Sequence, residues 1–211
     1  MKLIENHWNR FYKSSSSNPS SNFAKFVIKW LKTNKISFES KKLIDIACGN
    51  ARDSVYFHNK HIHTTGIDLS KIIIKKNSLN FPNIKFIQKD ICKTFKNSKD
   101  KFHFLYARFF IHAITYKQQT IFLKNCKKIL KNNSYIFLEF RTSLDPIAKK
   151  GKKLSQCERI FGHYRRFINV DNLKNELFNL NFNIVYIKKS NRFAIYKKEK
   201  PHICRMIIKL K

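Results

Sequence analysis

Apolar residues occur along the chain in two patterns that follow one another in alternation. Short apolar runs bounded by turn residues predict buried strands, and apolar spacings of three and four residues predict amphipathic helices. Strands are predicted at 43–47, 62–67, 84–88, 102–107, 135–140, 183–189 and 202–210. Helices are predicted from Ser20 or Ser21 to 31, from the turn at 48–50 to about 60, after Ser70, at 117–131 and at 171–180.

This order of elements predicts the fold class. Strands that alternate with helices across short turns are typical of a parallel sheet covered by helices on both faces. The last two predicted strands follow one another without a helix, which predicts an antiparallel hairpin at the C-terminal end. The pattern therefore predicts the α/β class, as a three-layer sandwich built on a mostly parallel, seven-stranded sheet.

We expect residues 1–211 to form a single domain, because no internal repeat or change of composition divides the sequence. An N-terminal arm and the first helix occupy 1–40, and the ligand-binding core occupies 41–140. Residues 141–168 interrupt the alternation with a polar, basic insertion, and 169–211 carry the last helix and the β-hairpin.

Charge is the strongest departure from average composition. The chain has 44 Lys and Arg against 13 Asp and Glu, a formal net charge of +31. Such a balance makes nucleic acid a possible partner. However, the lysines are spread along the whole chain, and abundant Lys, Asn, Ile and Phe beside only 4 Gly fit the codons of an AT-rich genome. We therefore favour a compositional origin for the charge over nucleic-acid binding.

Several other classes of protein are not expected. No apolar run approaches the roughly 18 residues of a transmembrane helix, and the N-terminus lacks the pattern of a signal peptide, so a cytoplasmic location is expected. The five cysteines are scattered without a CxxC pair, and His61 and His63 have no further ligand nearby. No disulfide and no metal site is expected. The sequence does not indicate an oligomeric state.

Acidic residues accompany the first three predicted strands. Asp45 lies within the first strand, and the following turn alternates small residues at Ala47, Gly49 and Ala51. Asp68 ends the second strand, about twenty positions past the turn, where an acid suits the two hydroxyls of a ribose. Asp90 follows the third strand, where a carboxylate suits an adenine amino group. Because the carboxyl ends of parallel strands share one edge, these residues predict a nucleoside site.

The runs DIACGNARDS, GIDLS and QKDI resemble the class I S-adenosylmethionine-dependent methyltransferases over about residues 40–140. The resemblance implies a Rossmann-like methyltransferase domain, S-adenosylmethionine as cofactor and S-adenosylhomocysteine as product. Ala47 and Ala51 replace glycines common in the family, so we expect a modest change in affinity. The cofactor contacts implied by this and the weaker resemblance below are Trp8, Tyr12, Asp45, Ala47, Gly49, Asn50, Asp53, Asp68, Leu69, Asp90, Ile91 and Arg108. Asp53 is equally well explained as a favourable charge at a helix N-terminus.

Basic residues concentrate after the fourth and fifth strands, where the methyl acceptor is expected. A histidine titrates near neutrality and suits a general base, although many histidines are structural. Residues 162–167 combine arginine with tyrosine and histidine in one loop, which suits a phosphate or carboxylate, although a solvated basic loop explains the insertion equally well. Phe109 and Phe110 are interpreted as core. The candidate catalytic residues are His112, Arg108, Arg141, Tyr164 and Arg165, and they predict a small-molecule or glycan-linked anionic acceptor.

A weaker resemblance covers HWNRFY, YARFFIHAI, EFRT, HYRRFI and PHICRMIIKLK, which are similar to small bacterial methyltransferases of surface (capsular) polysaccharide synthesis. It implies O-methylation of a phosphoryl or sugar group, and an N-terminal lid carrying Trp8, Phe11 and Tyr12. Two alternatives stay open. An NAD-dependent oxidoreductase is disfavoured because G-x-G-x-x-G is absent. An RNA- or DNA-directed methyltransferase, or a basic RNA-binding protein, is prompted by the charge alone.

Overall fold

The computed structural model describes residues 2–13, 19–93, 101–195 and 199–210. The strands are β1 (Lys42–Ile46), β2 (His63–Asp68), β3 (Lys85–Gln88), β4 (Phe102–Arg108), β5 (Leu130–Arg141), β6 (Lys152–Lys153), β7 (Glu158–Phe161), β8 (His163–Arg166), β9 (Phe182–Ser190) and β10 (Ile203–Leu210). Seven of them form one sheet in the order β3-β2-β1-β4-β5-β10-β9. β1 to β5 are parallel, and β10 runs antiparallel to both of its neighbours. This confirms the mostly parallel, seven-stranded sheet and its C-terminal antiparallel hairpin.

Helices cover both faces of this sheet. They are α1 (Lys2–Lys13), α2 (Asn22–Thr33), α3 (Arg52–His58), α4 (Lys71–Asn80), α5 (Tyr116–Ile129) and α6 (Val170–Asn179), with 3₁₀ turns at Ile111–Ala113 and Pro146–Lys149. One core joins the sheet to α5 and α6, and a second joins its other face to α2 and α3. The three-layer sandwich is therefore confirmed. None of the helices within the described residues is long and apolar enough to cross a membrane.

Two of the helix starts follow from the residue types that precede them. The hydroxyl of Ser21 accepts a hydrogen bond from the N–H of Ala24 at 3.0 Å, and the hydroxyl of Ser70 accepts from Ile73 at 3.3 Å. Both serines satisfy N–H groups that a helix N-terminus leaves without an intrahelical partner. They place α2 and α4 at the positions that the sequence predicts.

Two elements of the structure have no counterpart in the sequence prediction. Residues 2–13 form the helix α1, although we predicted only an arm, and the insertion folds into a second antiparallel sheet of β6, β7 and β8. The strands of this second sheet are two to four residues long and mostly polar. Neither the twofold apolar alternation of a half-buried strand nor a long apolar run is present there, so the pattern gave no signal.

The turn after β1 holds alanines in a backbone conformation that favours glycine. Ala47 has φ of 55° and Ala51 has φ of 62°. We expect Ala47→Gly to raise the free energy of unfolding by about 0.5–1 kcal/mol, because a Cβ in the left-handed region costs more than the extra freedom of glycine in the unfolded chain. Ala47 is exposed, so the change opens no cavity.

Urea unfolding at equilibrium measures this effect. Ala148→Gly is the matched control, since Ala148 lies in the second 3₁₀ turn and is only half-buried. The control should lose stability, because there glycine only adds freedom to the unfolded chain. Equal losses in the two variants would show that the left-handed backbone of Ala47 stores no strain.

Candidate functional site

A cavity of about 800 Å³ opens at the carboxyl ends of β1 to β4 and extends under α1. This is the edge of a parallel sheet at which ligands are expected, next to the point where the strand order reverses between β1 and β4. The cavity wall includes every residue for which the sequence predicted a cofactor contact: Trp8, Tyr12, Asp45, Ala47, Gly49, Asn50, Asp53, Asp68, Leu69, Asp90, Ile91 and Arg108. Whether each of them touches the cofactor stays a prediction.

The turn after β1 is held from two sides. The N–H of Gly49 donates to Oδ2 of Asp68 at 3.1 Å, and the amide of Asn77 donates to the Gly49 carbonyl at 2.7 Å. Gly49 has φ of 52°, and a Cβ at this position would come within 2.7 Å of the Tyr12 hydroxyl. Glycine is therefore required here both by the backbone conformation and by the close approach of α1.

Two buried carboxyls lie behind this turn. Asp68 accepts from Gly49 and from the N–H of Ser70 at 2.9 Å, and Asp45 accepts from the Ser54 hydroxyl at 2.6 Å. Burial raises the pKa of Asp68, an effect that its backbone hydrogen bonds partly offset. Burial also raises the pKa of Asp45 well above its usual range, and the neighbouring carboxylates add to the shift. A cationic group placed here would offset both shifts, because a nearby positive charge favours the ionised form of a carboxyl.

Asp53 has a structural role beside its place on the cavity wall. Its carboxylate accepts from the Ser21 N–H at 2.7 Å, the Ser21 hydroxyl at 2.8 Å and the Tyr106 hydroxyl at 2.7 Å. These bonds join the start of α2, the first turn of α3 and strand β4. Asp53 therefore fixes the packing of three elements around the cavity.

Helix α1 lies across the cavity between α4 and the second sheet. Asn9 accepts from the Ser70 hydroxyl at 2.5 Å, while Trp8 lies with its ring centroid 6.0 Å from that of Tyr12 and 5.1 Å from that of His163. Burial and nearby carboxylates raise the pKa of Tyr12, so its phenol stays protonated at neutral pH. The aromatic side of α1 thereby covers the cavity, with Tyr12 at the glycine turn and Trp8 at the insertion.

Two of the predicted acceptor-side residues line the cavity. Nε of Arg108 donates to Glu139 at 2.8 Å, and its guanidinium lies 4.2 Å from the ring centroid of Phe109. Arg165 lies on β8 and donates to the Phe161 carbonyl. Both side chains belong to the cavity wall.

The other three predicted catalytic residues are not part of the cavity wall. His112 is buried in the first 3₁₀ turn, its Nδ1 accepts the N–H of Arg141 at 3.3 Å, and burial and nearby arginines lower its pKa well below the usual value. The Arg141 side chain bonds Asp145 at 3.0 Å and Glu199 at 2.7 Å. The Tyr164 hydroxyl donates to Glu158. A catalytic role for these three residues stays a prediction of the sequence alone.

Comparison with known proteins places the chain in a family. The family described as "Methyltransferase domain" matches residues 21–187. The chain belongs to this methyltransferase family. S-adenosylmethionine is its methyl donor, and the alternative of an NAD-dependent oxidoreductase is set aside. No curated protein matches the sequence significantly.

Solved structures share the fold of this methyltransferase. An S-adenosylmethionine-dependent methyltransferase from Clostridium acetobutylicum is 14% identical, with a TM-score of 0.71 over 89% of this chain and 90% of that one. One from Methanosarcina mazei is 16% identical, with a TM-score of 0.70 over 85% and 96%. The 1,6-didemethyltoxoflavin-N1-methyltransferase of Burkholderia thailandensis is 12% identical, with a TM-score of 0.65 over 90% and 79%. At these identities the likeness concerns the fold.

The site of the methyltransferase fits its methyl donor. The donor carries a cationic amino group, which suits the buried carboxyl of Asp45, and a ribose, which suits the Asp68 carboxyl at the end of β2. Within the part of the chain that the structure describes, no cluster of three or more His, Cys, Asp or Glu is suited to hold a metal.

The cavity wall also includes residues that were not among the candidate site residues, and three of them bear on the chemistry of this methyltransferase. His7 and His163 lie on the wall, and Phe109, which we interpreted as core, is half-exposed there with φ of 57°. A left-handed phenylalanine is unusual and marks local strain, as is common at functional sites. The backbone strain at Phe109 is visible in the structure but not in the sequence. The two histidines come together through the packing of α1 against β8, which no local sequence pattern indicates.

Proposed function

We propose that this methyltransferase acts on a small anionic acceptor, held between Arg108 and Arg165. The observation that supports this proposal is the distribution of charge along the cavity. Carboxylates lie at the ends of β1, β2 and β3, which form one half of the strand order. Arg108 lies on β4, in the other half of that order, and Arg165 lies on β8 of the second sheet. The separation is incomplete, because Arg52 and Lys89 also line the acidic half.

The acidic half holds the methyl donor in this proposal. Asp45 binds the amino group, Asp68 with Leu69 binds the ribose, and Asp90 with Ile91 binds the adenine, as the family resemblance implies. The donor supplies an electrophilic methyl group. Trp8 and Tyr12 cover this half and exclude water from it, which strengthens each electrostatic contact inside.

The basic half holds the acceptor. A guanidinium offers five N–H donors, so Arg108 keeps donors for an anion after Nε has bonded Glu139. Burial and the like charge of Arg141 lower the pKa of Arg165, and a bound anion relieves that repulsion. The Burkholderia enzyme of the same fold holds 1,6-didemethyltoxoflavin together with S-adenosylhomocysteine, so this fold accommodates both molecules at once. Methylation of a surface polysaccharide precursor stays a narrower prediction.

Substitution of Arg165 tests the acceptor class. With labelled S-adenosylmethionine, we expect methylation within a panel of small phosphates and carboxylates, and not with neutral sugars or short RNA. Arg165→Gln should raise the acceptor KM about 10- to 100-fold, the worth of one charged hydrogen-bonding group, and leave the Kd of the donor unchanged.

Arg159→Gln is the matched control, because Arg159 pairs with Arg165 in the register of the second sheet but is not on the cavity wall. It should leave both constants within about twofold, because its guanidinium donates to the carbonyls of Ser155 and Glu158 and does not line the cavity. Equal acceptor kinetics in Arg165→Gln and wild type would remove Arg165 from the site. Turnover with RNA alone would replace the small anionic acceptor by nucleic acid.

A further inference from the structure

Two imidazoles lie on the basic half of the cavity. His163 opens strand β8 directly after Gly162, whose φ of 74° forms the turn from β7. The His163 ring centroid lies 5.1 Å from that of Trp8 and 5.1 Å from that of His7. Arg165 stands two residues further along the same strand, so its side chain leaves the same face of the sheet as His163. His163, His7 and Arg165 all belong to the cavity wall, unlike His112.

We propose that His163 is the general base of this methyltransferase, and that the acceptor therefore carries a hydroxyl or amine beside its anionic group. The inference rests on the proposed function, because Arg165 must hold the anion for the acceptor to reach His163. The acceptor oxygen or nitrogen forms a bond to the methyl carbon while the carbon–sulfur bond breaks, and the sulfur keeps the electron pair. The proton that the acceptor loses moves to a ring nitrogen of His163.

The surroundings of His163 keep its imidazole neutral in the free enzyme. Burial, Arg165 on its own strand, His7 on α1 and Arg141 at the end of β5 lower the pKa of His163 to about 3. A neutral imidazole accepts a proton, whereas an imidazolium does not. An anion bound to Arg165 offsets the positive charge around the ring, so the proton affinity of His163 rises when the acceptor binds. The base thus gains strength only in the presence of the substrate.

His7 completes this arrangement from the lid. Burial, Arg10 and Arg165 lower the pKa of His7 as well, so the two rings meet without a pair of like charges. Because α1 carries His7 and Trp8 on the side that contacts His163, the base is shielded from solvent only while α1 lies across the cavity. The position of α1 therefore links cover of the donor to activation of the acceptor.

Nuclear magnetic resonance of the histidine rings tests whether a bound anion raises the proton affinity of His163. The measurement uses the whole protein without S-adenosylmethionine. With inorganic phosphate as the probe, we expect the pKa of His163 to rise by at least one unit, and Arg165→Gln to abolish that rise. Signals are assigned from His163→Asn and His7→Asn. The exposed His61 lies at the opposite end of the sheet, before β2, and its signal should not respond to phosphate.

Steady-state kinetics test whether His163 removes the proton, with an acceptor that the panel of phosphates and carboxylates identifies. His163→Asn should lower kcat about 100-fold or more, within the usual contribution of a general base. It should change the acceptor KM less than threefold and remove the pH dependence of kcat that belongs to the wild-type base. His61→Asn is the control and should match wild type. A kcat of His163→Asn within threefold of wild type would overturn the assignment.

The two proposals fail in different ways. If phosphate shifts the Arg165 side-chain signals but leaves His163 without a gain in proton affinity, the anion site stands and the base assignment is wrong. If phosphate shifts neither residue and no anionic acceptor is methylated, the proposed function is wrong and the base assignment falls with it.

Discussion

Asp68→Asn should weaken the binding of S-adenosylmethionine about 100-fold. Asp68 is 6% exposed, and its two oxygens already accept from the N–H groups of Gly49 and Ser70. Asparagine keeps one acceptor oxygen and turns an NH₂ donor toward one of these N–H groups. The change therefore removes a negative charge from the donor half and loosens the turn that holds Gly49. The loss of one charge-assisted hydrogen bond to the ribose is worth about 1.5–3 kcal/mol, and the loosened turn at Gly49 adds to it, so we expect the loss to reach about 100-fold.

Calorimetric titration with S-adenosylmethionine and S-adenosylhomocysteine measures this loss, with NAD as a ligand that should not bind. Asp171→Asn is the matched control, because Asp171 is an exposed carboxylate in the first turn of α6 that pairs with the exposed Lys174 and lies outside the cavity wall. The control should bind the donor as the wild type does. A Kd for Asp68→Asn within threefold of wild type would show that the donor does not depend on the end of β2.

The acidic half of the candidate site can be predicted from sequence because each of its residues belongs to a short local motif. Asp45, Gly49 and Asp68 each follow from a short run that a strand and a turn explain together, and parallel pairing carries the strand ends to one edge. No knowledge of distant contacts is needed beyond the order of the strands. The register that pairs Asp45 with Gly66 and Asp68 with Gln88 follows from this arrangement.

The basic half depends on contacts between distant parts of the chain. His163 contacts His7 and Trp8 of α1, which lie more than 150 residues earlier, and no periodic pattern couples the two segments. The Arg141 side chain bonds Asp145 four residues on and Glu199 much further on, so its charge has partners that are absent from its own motif. His112 lies in a 3₁₀ turn that presents Nδ1 to the backbone of Arg141. Sequence identifies the residue type in these cases but not the direction of the side chain.

Glu139→Gln should cost about 3–5 kcal/mol of the free energy of unfolding, the largest stability effect we expect from a single substitution outside the apolar core. Glu139 is 1% exposed and lies in register with Arg108 on β4 and Arg205 on β10, each of which donates to it at 2.8 Å. Removal of the charge leaves two arginines without their carboxylate. The loss of this partner costs more stability at Arg205 than at Arg108, because Arg205 is buried, with its guanidinium 4.1 Å from the ring centroid of Phe193.

Urea unfolding measures the stability that is lost with the ion pair. The acceptor KM measures whether Arg108 has lost the carboxylate that holds it in place. The double variant Glu139→Leu with Arg205→Leu should regain much of the lost stability, because it removes the buried charge together with its partner. It should still bind the acceptor weakly, since Arg108 lacks the carboxylate that fixes its guanidinium beside Phe109. Glu158→Gln is the control, because Glu158 is only half-buried and its hydrogen bond comes from the neutral Tyr164. A loss below 1 kcal/mol in Glu139→Gln would mean that water or another group solvates both arginines, and the buried triad would then not hold Arg108 in place.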